Sequence, residues 1–490
     1  MSESTLLKSV KEHYLFHIII ICLAIVICYF GAWNAYFFTG DDYEITGWVK
    51  SQPTIFDAIR GYGNGVRFLN YAMIWSKTQI FDLNAGLYFV AGLIQQMIVS
   101  TIVYWLFNIV TGRRLAAFIG ALLFAVQFSF WEVMTSISAT DYTFWAMFYT
   151  STITLFAAHL KYRKRIFYVG AVFTYLILSF AHDFTLNIPL ALMAYHILLG
   201  RGDKSLRSIQ LSELRAHIPF WILWGIHIFI QFRYLFGGTS EALYSANDYG
   251  LGLHILTNLS YLVYLIVLNI PIIPRLTEYF GGNFGTIYWL FINVLSWVFI
   301  GILLYLFWKG SSIRRFALIM IFIPFLQYTL WHGSYAGASR YLYMPSIGFS
   351  LLLAVLILGF FHQKRGRFGK FAIYGVIASI LIFDLVIIQL WLQRHLENSL
   401  FRRTFVTAFQ SDFQNRVNPE THILIEVPEA KFLDLGSSCD LIFAIVPDCE
   451  SFVSSTLSDA EVQARIGNDR ASYWLEVVDG GYIEKSTTGQ

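Results

Sequence analysis

Long apolar runs separated by short clusters of Lys and Arg constrain this chain more than any other feature. Blocks such as 16–30, 86–110, 287–308 and 343–361 are each long enough, or nearly so, to cross a hydrocarbon core of ~30 Å. Of the 490 residues 57% are hydrophobic and 13% charged, against roughly 25% charged in an ordinary soluble domain. That balance excludes a soluble globular enzyme. Aromatic residues reach 18%, as lipid-facing surfaces and interfacial belts require. The net charge is only +3, and the basic residues form clusters between apolar blocks, so nucleic acid is not an expected partner. Trp-Asn-Ala-Tyr follows the first apolar run where a cleavage site would need small residues, so that run reads as a retained signal anchor.

Basic residues near segment ends favour the cytoplasm. The clusters are Lys8/Lys11, Arg113-Arg114, 161–165, 201–215, 309–315 and 364–370. Keeping all six inside predicts eleven spans: 14–36, 84–109, 115–131, 142–160, 166–182, 184–199, 217–235, 286–307, 316–331, 343–361 and 370–391. The N-terminus is then cytoplasmic and the C-terminus extracytoplasmic. Segment 251–275 is apolar as well; a full crossing there would break the parity, so it reads as re-entrant or interfacial. The expected fold is all-α and polytopic over 1–393, with a first outer loop 37–83 and a large outer loop 236–285. An extracytoplasmic α/β domain is expected over 394–490, because THILIEVP, CDLIFAIVP and SYWLEVV are short β-type runs between polar turns. Its Cys439 and Cys449 would suit a disulfide in that compartment. A plasma membrane, bacterial in type, is the expected location.

Acidic residues collect at the outer helix ends. Asp41-Asp42 follows the first span, Glu132 ends the third, Asp141 begins the fourth, and His182-Asp183 forms the turn between the fifth and sixth. A carboxylate at a membrane boundary suits a general base acting on a hydroxyl, or a metal ligand. The bland alternative for each is an interfacial residue with no role, and for Asp41 a turn after Gly40. Glu44, Asp57 and Asp248 read as loop charges. Arg340 and His332 put positive charge on the outer side, against the topological rule. A guanidinium there suits a lipid-linked phosphate, or else snorkels to headgroups. Tyr341 and Tyr343 flank it, and Arg67 and Arg233 are further cations. The acidic set offers oxygen ligands for Mg²⁺ or Mn²⁺, with Asp42 and Asp183 the metal candidates, but no spacing requires a cofactor.

These residues resemble the GT-C superfamily of membrane glycosyltransferases, nearest to the membrane portion of the transmembrane and tetratricopeptide repeat-containing mannosyltransferases and their bacterial relatives. Asp41-Asp42 looks like the loop-one acidic pair. FWEVMTSISATDYTFWAMF is similar to the second outer segment, with Thr140 where a basic residue is usual. SFAHDFTLNIPL is similar to a stretch normally written Ser-Lys-Glu, with His182 and Asp183 in the last two places and Pro189 keeping its spacing. SRYLYMPS is similar to Glu-Arg-Tyr-Leu-Tyr-Leu-Pro-Ser, with Ser339 replacing the acid. The likeness covers roughly 14–400.

The resemblance implies inverting transfer of a sugar from a polyprenyl-phosphate carrier to an acceptor hydroxyl on a glycan, lipid or protein at the outer face. Asp41 or Asp42 would be the base. Arg340, helped by His332 or His182, would stabilise the phosphate, and an apolar groove would hold the prenyl chain. Two other readings stand beside it. One is a non-catalytic GT-C-like accessory subunit, docking a membrane-complex partner through its C-terminal domain. The other is a transporter or flippase, disfavoured because the acids sit at one face and no inverted repeat is present.

Overall fold

The structure, a computed structural model, describes residues 3–36, 41–61, 67–82, 84–181, 186–201, 214–236, 251–268, 283–330, 339–362, 367–413, 422–427, 448–453, 472–478 and 481–485. Among them the helices are α1 (Glu3–Cys28), α2 (Asp41–Ser51), α3 (Ile55–Gly61), α4 (Phe68–Phe81), α5 (Ala85–Thr111), α6 (Arg114–Ala125), α7 (Trp131–Thr135) and α8 (Ile137–Tyr162). They continue as α9 (Arg165–Ser179), α10 (Ile188–Tyr195), α11 (Ile218–Phe236), α12 (His254–Leu268), α13 (Asn283–Lys309), α14 (Ser312–Thr329), α15 (Tyr343–His362) and α16 (Arg367–Phe413).

The core forms around α8, whose Trp145, Ala146, Tyr149, Ile153, Phe156 and Ala157 are fully enclosed between α5, α9 and α10. Threonines on α8 explain why so inward a helix is less apolar than its neighbours. Thr143 donates to Gln95 at 2.7 Å and Thr152 shares a hydrogen bond with Thr174 of α9 at 2.8 Å, so their polarity is satisfied inside the bundle. The outer faces are apolar instead. Leu15, Phe16, Ile19 and Leu23 of α1, and Phe291, Val294 and Val298 of α13, are exposed in rows that only lipid would cover. The chain is an integral membrane protein.

Among the described residues the eleven expected spans are not confirmed. Four helices among the described residues are long and apolar enough to cross a membrane, within Ala85–Thr111, Leu290–Lys309, Arg340–Gly359 and Tyr374–Phe409; five do so if α6 and α7, bent by 48° at their break, count as one. The other runs fall short for two reasons. Tyr14–Cys28, Arg165–Ser179, Ile188–Gly200 and His254–Leu268 are apolar but shorter, and α8 carries the buried threonines. Segment 251–275 supplies α12, which packs Leu262, Val263, Leu265 and Ile266 into the core; the rest of that segment lies outside the described residues.

Helix α16 runs without a break from the bilayer belt past residue 393 to Phe413. Its last turns pack Phe405, Val406 and Phe409 against Ile423, Ile425 and Leu475 of a four-stranded sheet. The strands are β1 (His422–Val427), β2 (Asp448–Val453), β3 (Ser472–Val478) and β4 (Gly481–Lys485), in the order β2-β1-β3-β4. β1 is parallel to β2 and to β3 (His422↔Asp448, His422↔Ser472), and β4 returns antiparallel to β3 (Val478↔Gly481). The runs THILIEVP and SYWLEVV thus form β1 and β3. The strand described beside β1 is DCESFV, immediately after CDLIFAIVP, most of which lies outside the described residues, as does Cys439.

Candidate functional site

Helix α6 stops at Ala125, a short 3₁₀ turn follows at Phe128–Phe130, and α7 carries the chain to the start of α8. The break, a bend of 48°, turns the backbone sideways at one end of the bundle and carries Glu132 to the start of α8. Ser136 N-caps α8, its side chain accepting from the Ala139 N–H at 3.4 Å, while its own N–H donates to the Glu132 carbonyl at 2.9 Å.

Asp42, in the first turn of α2, completes that cap from another element. Its Oδ1 accepts from the Ser136 hydroxyl at 2.8 Å and its Oδ2 from the Ile137 N–H at 2.9 Å, and the residue is 1% exposed. A carboxylate at a helix N-terminus satisfies orphan donors and meets the positive end of the helix dipole. Loop one is thereby fixed to α8 through one member of the acidic pair. Asp41 begins α2; its side chain lies outside the described residues.

Asp141, one turn into α8, is buried and forms an ion pair with Lys77 of α4 at 2.9 Å. Burial pushes its carboxyl above the ordinary 3.8; the Lys77 ammonium opposes that rise, and the neighbouring Asp42 charge adds to it. Lys77 was not among the expected site residues. Its signal was present in the sequence, since a lysine in the segment 37–83, expected to be an outer loop, violates the same topological rule that singled out Arg340. It supplies from α4 the positive charge that the resemblance would put at Thr140.

Glu132 takes Arg340. Its Oε1 lies 3.2 Å from Arg340 Nη1 and its Oε2 accepts from the Arg340 backbone N–H at 3.0 Å. The Arg340 guanidinium also lies over the Tyr341 ring, 5.6 Å from the centroid, and Tyr341 stacks on Tyr328 at 4.2 Å. The acid that the resemblance would place at residue 339 is thus replaced in space by Glu132. Tyr343 is enclosed between Phe130 and Phe124, and its hydroxyl donates to Gln96 Oε1; that side chain belongs to the core.

Arg67 precedes α4, and its carbonyl accepts from the Asn70 and Tyr71 N–H groups. Asn70 accepts from Trp145 Nε1 of α8 at 2.6 Å, and the Leu69 N–H donates to the carbonyl of Phe180 at the end of α9. Loop one therefore reaches the edge of the His182-Asp183 turn, but His182, Asp183 and His332 lie outside the described residues, as do the side chains of Glu44 and Arg233. No group of three or more His, Cys, Asp or Glu among the described residues could hold a metal ion. Asp42 is spent on helix donors and Asp141 on an ammonium, so the described donors do not fit Mg²⁺ or Mn²⁺, and no step is routed through either.

No protein-family model and no curated protein matches the sequence. Among solved structures the chain is similar to the oligosaccharyltransferase of Archaeoglobus fulgidus in its apo form. The TM-score is 0.53 at 14% identity, over 94% of this chain and 69% of that one. The same archaeal protein tethered to an acceptor peptide with the NVT sequon gives 0.48 at 14% identity, over 90% and 64%. At such identity the likeness is one of fold alone.

Proposed function

We propose that the chain is a glycosyltransferase that moves a sugar from a polyprenyl-phosphate carrier to an acceptor hydroxyl at the outer membrane face, with inversion. One observation carries the reading: Asp42, Glu132 with Asp141, and Arg340, from three distant parts of the sequence, converge on the corner between α7 and α8. Acids for proton transfer and a cation for phosphate are what the reaction requires, and the GT-C fold supports it.

In this mechanism the acceptor oxygen attacks the anomeric carbon while its proton passes to a loop-one carboxylate. The bond from that carbon to the phosphate oxygen breaks, and the polyprenyl phosphate leaves. Asp42 already accepts two hydrogen bonds from α8, so Asp41 is the base and Asp42 holds loop one in register. Arg340 meets the growing phosphate charge. A guanidinium has five N–H donors, so one carboxylate does not saturate it. Glu132 orients it, and His332 and His182 are proposed to assist.

A second reading, that of a non-catalytic accessory subunit, is favoured by one fact: both described cations at the corner, Lys77 and Arg340, are matched by an acid of the same chain. Membranes carrying the protein, supplied with a polyprenyl-phosphate sugar and candidate acceptors, separate the two. Asp41→Asn should abolish transfer with folded protein retained. Transfer that persists in Asp41→Asn and in the Asp41→Asn/Asp42→Asn double variant would remove the pair from the chemistry. If the intact chain supports none, the accessory reading stands.

A further inference from the structure

A cavity of about 460 Å³ lies between α6, α12, α13, α15 and α16, apart from the corner just described. That volume falls within the usual range for small-ligand sites. Leu303, Leu306, Phe349 and Leu353 are among its apolar walls. Ile302 and Phe383 also line it and are exposed on the apolar outer surface, so the cavity opens toward lipid.

One end is polar. Gln127, 5% exposed, lines the cavity, and its Nε2 has no hydrogen-bond partner. A buried amide donor left without an acceptor is costly and calls for an explanation. Beside it stands Asp384, 4% exposed on α16, whose Oδ1 accepts from the Phe128 N–H at 3.2 Å. That N–H is one the α6 break leaves without a helical partner. A carboxylate within a bilayer-spanning helix is expensive and usually faces a polar ligand or cavity. Among the described lining residues there is no Lys, Arg or His.

We propose that this cavity binds a membrane lipid with an uncharged hydroxyl head. The chain lies along the apolar walls, the head oxygen accepts from Gln127 Nε2, and its O–H donates to Asp384. A phosphate head is disfavoured, because among the described lining residues the one formal charge is the Asp384 carboxylate and like charges repel most strongly at low dielectric. The site is independent of the transfer reaction and does not rest on it.

Equilibrium binding to the purified full-length chain in detergent, with radiolabelled geranylgeraniol as the probe and unlabelled geranylgeraniol or geranylgeranyl phosphate as competitor, tests this. Phosphate bound at the Arg340 corner does not displace a probe held in the cavity, so displacement reads this site alone. The unlabelled alcohol should displace the probe at a concentration at least about tenfold lower than the phosphate does. Leu353→Trp, which fills the cavity, should remove alcohol binding, and Gln127→Leu should weaken it about tenfold. Asp384→Asn keeps an acceptor for the Phe128 N–H and should narrow the gap between the two competitors. The proposal is overturned if the phosphate displaces the probe as well as the alcohol does, if the alcohol does not bind, or if a folded Leu353→Trp retains the alcohol. The competition on the unmodified chain decides even where a variant fails to fold.

Discussion

Glu132 holds Arg340 by two unlike bonds, one to the guanidinium Nη1 and one to the backbone N–H, across 208 positions of sequence. The carboxylate therefore fixes the chain path of the turn Ser339–Leu342 as well as neutralising a charge. Glu132→Gln keeps an acceptor for the backbone N–H and should cost about 1 kcal/mol, whereas Glu132→Ala loses both bonds and should cost roughly 2–3 kcal/mol. The swap Glu132→Arg with Arg340→Glu should not restore stability, because arginine cannot accept from a backbone N–H. Thermal unfolding in detergent reads all three. Equal losses for Gln and Ala would show that the backbone bond contributes nothing.

The Lys77–Asp141 pair is more enclosed, with side chains 11% and 6% exposed. Removing one partner strands a charge, so Lys77→Met should cost roughly 3–5 kcal/mol, and Lys77→Met with Asp141→Leu should recover much of that. The pH dependence has a definite sign. The folded carboxyl titrates above its ordinary 3.8, so the native state binds the proton more tightly than the unfolded chain. Its contribution is therefore present below that value and is lost as pH rises through the folded pKa. Asp141→Asn should remove this downward slope. A slope of unchanged size in the variant would assign it to another group.

Asp42 and Asp41 should separate by assay. Asp42→Ala strips the α8 cap of two acceptor contacts and should lower stability by about 1–2 kcal/mol, while Asp42→Asn retains an acceptor and should lose less. Asp41→Asn should leave the melting temperature in place and remove transfer. If Asp42→Asn abolishes transfer at full stability while Asp41→Asn is active, the roles of the two are reversed.

The membrane class and the place of the acids were legible because both follow from local pattern: apolar length, basic clusters, and carboxylates at segment ends. Span number was not, because counting assumes each of those apolar runs crosses the bilayer, while α9 and α10 are short and α6 breaks before α7. The partners of the charges were hidden for a different reason. Nothing in the one-dimensional pattern says that Lys77 of α4 reaches Asp141, or that Glu132 stands in for the acid missing at Ser339; those follow from how loop one and the α7 corner pack. Asp384 escaped because a single acid within an apolar run registers as an exception until the Phe128 N–H that donates to it is seen at the α6 break.

Gly348 marks a close approach of α15 to α14. A Cβ built there would sit 2.5 Å from the Ala317 carbonyl oxygen, 2.7 Å from the Ile321 nitrogen and 2.8 Å from the Met320 carbonyl carbon. All three are backbone atoms of α14 and cannot rotate away, so Gly348→Ala must push α14 and α15 apart. Since α15 follows directly on the turn that carries Arg340, the displacement reaches the corner. Gly348→Ala should cost roughly 1–3 kcal/mol and weaken transfer as well. Gly225 of α11 has no heavy atom within 4 Å of the same construction, so Gly225→Ala should be neutral or stabilising by up to about 1 kcal/mol. Melting of the two variants side by side separates contact from propensity. If both shift alike, helix propensity governs, and the close packing of α14 on α15 does not hold the turn of Arg340 in place.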